Sequence, residues 1–171
     1  VPTWKFDGCP HDGPSLLTME NKTTVAWMDA HQGMSRVFVN QLTPVNEDSA
    51  SNWTHAVATP LDASFAGTQE QPCLVIDPSN AVIHAAWSAT GSRRAIHFAS
   101  SFDGGKTFIP SLAISPMDDA FQSRVKLVVA PEGHVYTAYF ELSSEGKRLV
   151  VGRVQPVKRL QGDGSIAGVT P

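Results

Sequence analysis

Pro72-Cys-Leu-Val-Ile76, then Asp77-Pro-Ser-Asn80, then Ala81-Val-Ile-His-Ala-Ala-Trp87 is the stretch that decides how this chain folds. A short apolar run leads into a polar turn, and a second apolar run closes on a tryptophan. Two such runs joined by Asp, Pro, Ser and Asn describe a β-hairpin. The same succession occurs upstream as Pro14-Ser-Leu-Leu-Thr-Met19, Glu20-Asn-Lys-Thr23 and Thr24-Val-Ala-Trp27. It occurs again downstream as Val125-Lys-Leu-Val-Val129, Ala130-Pro-Glu-Gly133 and His134-Val-Tyr-Thr-Ala-Tyr-Phe140.

In each copy a loop follows the aromatic and an arginine opens another apolar run: Arg36-Val-Phe-Val, Arg94-Ala-Ile-His-Phe and Arg148-Leu-Val-Val. On this alignment Trp27, Trp87 and Phe140 correspond, as do Arg36, Arg94 and Arg148. A fourth strand is expected in each copy, at His55–Thr59, Ser111–Ile114 and Ser165–Val169. A period of roughly 50 to 60 residues with four short strands per copy is the signature of β-propeller blades. The predicted fold is all-β, with three four-stranded antiparallel blades spanning about residues 12–62, 70–117 and 122–171 after a short lead-in segment at 1–11. The repeated aromatic is assigned to the core between blades, where it buries roughly 150–250 Å².

Composition narrows the function classes. The 171 residues are 42% hydrophobic and 17% charged, enough for a packed core. The net charge is −3, with no basic run beyond Arg93-Arg94, so nucleic-acid binding is not expected. No apolar stretch reaches the ~18 residues of a membrane helix, and no membrane partner is expected. The chain opens at Val1 and not Met, so the expectation is a processed or excised form, any signal peptide having gone. Cys9 and Cys73 are compatible with one disulfide in an exported protein or with two buried thiols. Asn21 and Asn52 head N-x-T triplets, which matter only in a eukaryotic secretory pathway.

Ser101-Phe-Asp103-Gly-Gly105-Lys-Thr107-Phe108 resembles the Asp box, S-x-D-x-G-x-T-[W/F], of sialidases and the wider BNR-repeat group. Its mechanics are legible without the family. Asp103 can cap the backbone of its own turn, the glycines allow positive φ, and Phe108 anchors the hairpin. Asp48–Trp53 is a degenerate version in the first copy, and the third keeps only Gly162-Asp-Gly164. Trp4 and Gly8-Cys9-Pro-His11-Asp12-Gly-Pro14 are similar to a segment of bacterial sialidase-like proteins. The resemblance implies a six-bladed ring, a structural role for Ser101, Asp103, Gly105, Thr107 and Phe108, and a periplasmic or secreted location.

It also implies what to look for in catalysis. Retaining sialidases use a tyrosine nucleophile, an acid/base aspartate and three arginines on the substrate carboxylate, tyrosine being an exception among glycosidases. Tyr136 and Tyr139 are the only tyrosines here, and neither falls at an expected loop mouth. In the family, loops entering the innermost strands line the central mouth. Mapped onto this chain they offer His11 and Asp12, then Glu70 and Gln71, then Ser123 and Arg124. Loops between second and third strands add Asp29, His31, Arg93 and Glu141.

The ligand-binding candidates are therefore His11, Asp12, His31, Glu70, Gln71 and Arg124, with Arg124 the anion contact. Cys9 and His11 have metal-ligand chemistry, but the C-x-H spacing matches no recognised site, so no metal or other cofactor is expected. The remaining histidines, His55, His84, His97 and His134, are assigned to strand surfaces. No G-x-S-x-G elbow or phosphate-binding P-loop is present. Three blades cannot close a ring, so the expected partner is a second copy, giving six blades, or another chain that supplies the missing ones. The functional expectation is a non-catalytic sialidase-like module or scaffold that binds a carbohydrate or small anion at its mouth. The alternative is a glycoside hydrolase using Arg124, Asp12 and Glu70.

Overall fold

A computed structural model describes residues 13–30, 33–45, 53–55 and 57–154. They form three antiparallel sheets in chain order. The first comprises β1 (Ser15–Met19), β2 (Lys22–Asp29), β3 (Arg36–Pro44), β4 (Trp53–His55) and β5 (Thr59–Pro60), with β4 and β5 both pairing β3. The second is β6 (Thr68–Asp77), β7 (Val82–Thr90), β8 (Arg94–Ser101) and β9 (Leu112–Ala113). The third is β10 (Phe121–Val129), β11 (Val135–Ser143) and β12 (Gly146–Val154). In place of the single fourth strand expected at His55–Thr59 the first sheet has two short ones, β4 and β5, the one expected at Ser111–Ile114 is the two-residue β9, and Ser165–Val169 lies outside the described residues. No helix among the described residues is long and apolar enough to cross a membrane.

Two apolar layers join the sheets. Ala26, Val37 and Val39 of the first sheet pack with Leu74, Ala85 and Trp87 of the second. Ala86, Ile96 and Phe98, on the other face of the second sheet, pack with Val125, Val135 and Tyr139 of the third. Strand β7 is consequently buried along nearly its whole length, because successive side chains point to opposite faces and each face meets a neighbour. The innermost strands β1, β6 and β10 lie side by side, which is the blade arrangement of a propeller.

Strand register corrects two expected equivalences. Ala26, Ala86 and Ala138 face Ser15, Cys73 and Lys126 across the first pair of each sheet. The next residue along is Trp27, Trp87 and Tyr139, so Tyr139, not Phe140, fills the repeated aromatic position. Sequence alignment slipped by one because Phe140 is also aromatic and adjacent. Arg36 pairs with Asp29 and Arg148 with Glu141, two residues beyond the aromatic, whereas Arg94 pairs with Thr90, three beyond. Arg94 therefore belongs to the other face of its sheet, its guanidinium 5.4 Å from the Phe121 ring centroid.

A pair of buried glutamines, unremarked in the sequence, ties sheet to sheet. Gln69 Oε1 accepts the Val37 N–H at 3.1 Å, and Nε2 donates to the Asp62 carbonyl at 2.7 Å. Gln122 holds the same register position one sheet later. Its Oε1 accepts a short hydrogen bond from the Ser115 hydroxyl, and its Nε2 donates to the Pro116 carbonyl at 3.0 Å. The Ser115 oxygen in turn accepts the Ile96 N–H at 2.8 Å. Ile96 stands where Val37 stands, so both glutamines satisfy the same third-strand amide in the preceding sheet, the second through a serine relay. A buried amide left unpaired would cost about 1–3 kcal/mol.

Candidate functional site

The antiparallel order fixes which features share an end of the molecule. The start of β6 pairs with the end of β7, which pairs with the start of β8. Glu70, Gln71 and Arg124 therefore lie at one end, and the turn after Ser101 lies at the other. The candidates Glu70, Gln71 and Arg124 were expected in loops leading into the innermost strands. They sit within those strands, at bulges. Register shifts occur between Glu70 and Cys73 and between Ser123 and Lys126, so two residues oppose one, namely Trp87 in the second sheet and Tyr139 in the third. The bulky ring and the bulge occur together, and a bulge re-aims the side chain it carries.

Gln71 and Arg124 are the first residues of these bulges, and both have φ of 55°. A left-handed conformation costs a non-glycine residue about 1–2 kcal/mol, so the fold holds each one there against a local preference. The two bulges touch: the Arg124 N–H donates to Gln71 Oε1 at 2.7 Å. Ser123 is buried and Arg124 exposed. His11, Asp12 and His31, with Cys9, lie outside the described residues. Counting back from the register partner Ser15, Asp12 stands in sequence where Glu70 and Ser123 stand.

Five of the six arginines among the described residues gather at this end, and four of them have structural work. Arg36 donates to the carbonyls of Phe65 and Gly67, the latter at 2.7 Å. Arg93 donates to the Met117 carbonyl at 3.0 Å. Arg94 covers Phe121. Arg148, largely exposed, pairs at 2.5 Å with Glu141, whose side chain is buried. The Arg124 guanidinium has no hydrogen-bond or ion-pair partner among the described residues. Asp29 and Glu141, expected on loops, are buried at strand ends opposite Arg36 and Arg148.

The histidines assigned to surfaces divide. His134 is exposed, beside Glu132 at 3.3 Å, but His84 and His97 are buried. His84 Nδ1 lies 2.9 Å from Ser100 Oγ and its ring stacks 5.4 Å from Phe98. Burial pushes its pKa down to about 4, against the pull of the Asp77 charge. His97 Nδ1 lies 3.1 Å from Ser111 Oγ, which donates a short hydrogen bond to Asp62. Burial lowers this imidazole too, with Asp62 opposing. Neither set suits nucleophilic catalysis. Ser100 is fully buried, beyond the reach of a substrate, and Ser111 stands between its histidine and its carboxylate instead of being activated by the histidine.

At the far end, the residues resembling an Asp box form a closed turn. Asp103 Oδ1 accepts the Lys106 and Thr107 N–H groups at 3.0 and 2.9 Å, and Oδ2 accepts the Thr107 hydroxyl at 2.6 Å. The Ser101 hydroxyl donates to Asp103 at 2.8 Å and accepts the Gly105 N–H at 2.8 Å. Burial raises the Asp103 pKa, but these donors outweigh it and hold it at about 2. Gly105, at φ 92°, holds a left-handed turn that strains any larger residue, and a Cβ there would sit 3.3 Å from Thr24, Gln41 and Ile83 side-chain atoms, which would have to give way. Phe108 packs into the layer between the first two sheets.

Cys73 is a buried free thiol on β6, its pKa raised by burial, and its possible partner Cys9 lies outside the described residues. No cluster of metal-ligating side chains occurs among the described residues.

No protein-family model matches the chain, and no curated protein does. Solved structures match its fold. A protein of unknown function from Dyadobacter fermentans superposes with a TM-score of 0.56 at 18% identity, over 80% of this chain and 36% of that one. An exo-β-1,3-galactanase from Phanerochaete chrysosporium, solved with β-1,3-galactotriose, gives 0.52 at 12% identity, over 75% and 32%. An exo-β-1,3-galactanase from Clostridium thermocellum gives 0.50 at 13% identity, over 80% and 35%. This chain thus spans about a third of each of these proteins. At such identities the likeness is one of fold: all-β and propeller-like.

Proposed function

We propose that this chain is a non-catalytic propeller module that binds an acidic carbohydrate at its mouth, with Arg124 as the anion contact. The observation that carries the reading is Arg124 itself. It is the one described arginine at that end without a partner, and it is held in a left-handed bulge against the neighbouring bulge. An exposed guanidinium on a fixed backbone is suited to a planar, bidentate carboxylate. Gln71 and Glu70 on the adjoining strand supply polar groups for sugar hydroxyls, and His11, Asp12 and His31 are assigned to the same mouth by the repeat. The resemblance of Ser101–Phe108 to the sialidase Asp box supports a glycan as the ligand class, as does the fold shared with galactan-degrading enzymes.

The test is a calorimetric titration with a uronate- or sialate-bearing oligosaccharide, set beside its neutral counterpart. Arg124→Ala is expected to weaken acidic-sugar binding by about 10- to 100-fold, the worth of a charge-assisted contact. Arg124→Lys should restore only part of it, since a point charge cannot bind bidentately. Equal affinity for the neutral sugar, or unchanged affinity in Arg124→Ala, would sink the reading. The galactanase-like fold keeps one rival in play, hydrolysis using Asp12 and Glu70 as the carboxylate pair. Turnover of an aryl glycoside by the wild-type chain, abolished in Glu70→Gln, would establish it instead.

A further inference from the structure

Gln71 and Arg124 share a conformation that their own chemistry disfavours. Each is the first residue of a bulge, with φ of 55°, a setting in which glycine is the ordinary occupant. Gln71 is under a second pressure, because Pro72 follows it and a residue before proline is driven toward extended backbone. Two long polar side chains thus stand where glycine fits without strain, on the adjacent innermost strands of different sheets. Strain of this kind persists where the surrounding structure over-determines the residue, and it gathers at sites with a task.

The two side chains have different tasks. At a bulge the extra residue is left out of the ladder, and the Arg124 N–H instead meets Gln71 Oε1 at 2.7 Å. A backbone N–H requires an acceptor, so the glutamine amide is fixed with its oxygen on Arg124. The chain on either side is anchored without Gln71. Ser123 is buried, and Val125, 1% exposed, packs with Ala86, Ile96 and Phe98 in the joint between the second and third sheets. Between these anchors, the peptide ahead of Arg124 is tied to the second sheet by the bond to Gln71.

We infer that Gln71 is the positioning residue of the anion contact. By holding the Arg124 amide it keeps that bulge left-handed, and the guanidinium is offered from one backbone setting. The inference deepens the reading of Arg124 as the anion contact and rests on it. Gln71 raises the fraction of molecules whose Arg124 backbone is already in the binding form, and affinity for the acid group scales with that fraction. Only an acidic ligand feels this effect. Contacts of the neighbouring polar groups with sugar hydroxyls serve acidic and neutral sugars alike.

The test uses Gln71→Met, of similar length but without a strong acceptor, and Gln71→Glu, which keeps an oxygen for the N–H. In the whole ligand-free chain, isotope-labelled, NMR reads the three-bond HN–Hα coupling and the exchange rate of the Arg124 amide. Gln71→Met is expected to move the coupling toward that of an extended residue and to speed exchange, and Gln71→Glu to keep both near wild type. The second readout is the ratio of affinities for a uronate-bearing oligosaccharide and its neutral counterpart. Gln71→Met should lower that ratio by about 5- to 30-fold, the weight of a left-handed strain left unopposed, and should lower it no further in Arg124→Ala. Circular dichroism matching the wild type shows that the variants fold. An Arg124 amide unmoved in Gln71→Met overturns the inference, and so does an unchanged ratio. A further fall in the Arg124→Ala background overturns it too, since Gln71 would then contact the acid group itself. A wild type indifferent to the acid group refutes the reading of Arg124 instead, while the coupling and exchange, which need no ligand, still decide whether Gln71 holds the bulge.

Discussion

His84 lies on β7, 2% exposed, between the second and third sheets. Folding strips it of water, and its pKa falls from 6.5 to about 4 even though Asp77 lies near enough to favour the charged form. Above pH 6.5 both folded and unfolded chains carry this histidine neutral, and its stabilising contribution is complete. As pH falls below 6.5 the unfolded chain takes up a proton that the folded chain refuses, so stability is lost progressively until about pH 4. The slope approaches 1.4 kcal/mol per pH unit, which integrates to about 2 kcal/mol between pH 7 and pH 5. His97 is shifted in the same direction and adds to the loss. Asp62, Asp77 and Asp103 have lowered pKa values, and their contributions are withdrawn only below the ordinary carboxylate range, outside this window.

The assay is urea denaturation at pH 7, 6 and 5 for the wild type and His84→Gln. Gln keeps a hydrogen-bonding group for Ser100 but cannot titrate. The variant has its own starting stability, so the comparison is of slopes. The wild type is expected to lose about 2 kcal/mol or more over the interval, and the variant to retain most of that. Stability flat with pH in the wild type, or an unchanged slope in His84→Gln, would refute the argument that burial governs this histidine.

Two other changes follow from the same reasoning. Gln69→Leu should cost about 2–4 kcal/mol, because it strands the Val37 N–H and the Asp62 carbonyl in a dry joint, and urea midpoints would show it. Ala81, at φ 58° in the β6–β7 turn, is the equivalent of Gly133 at φ 81° in the β10–β11 turn. Ala81→Gly should therefore raise thermal stability by about 0.5–1 kcal/mol, and a fall in melting temperature would show that the turn does not carry that strain.

The repeat could be read without coordinates because it is local. Short apolar runs, turn residues at fixed offsets and a recurring aromatic are properties of neighbouring residues, and they determined the β class, the hairpins, the copy number and the Asp103 turn. What the tertiary structure decided are the pairings that sequence separation hides. A bulge inserts a residue into β6 and β10, and its place is set by contact with the partner strand, so Tyr139 and Phe140 could not be told apart from their neighbours. The same bulges put Gln71 and Arg124 inside strands and bring them together across 53 positions. His84 and His97 look like surface residues in an alternating strand, and they are buried because β7 and β8 are covered on both faces. Gln69 and Gln122 are polar in the sequence and buried in the fold, because each answers an amide on a strand in the preceding sheet.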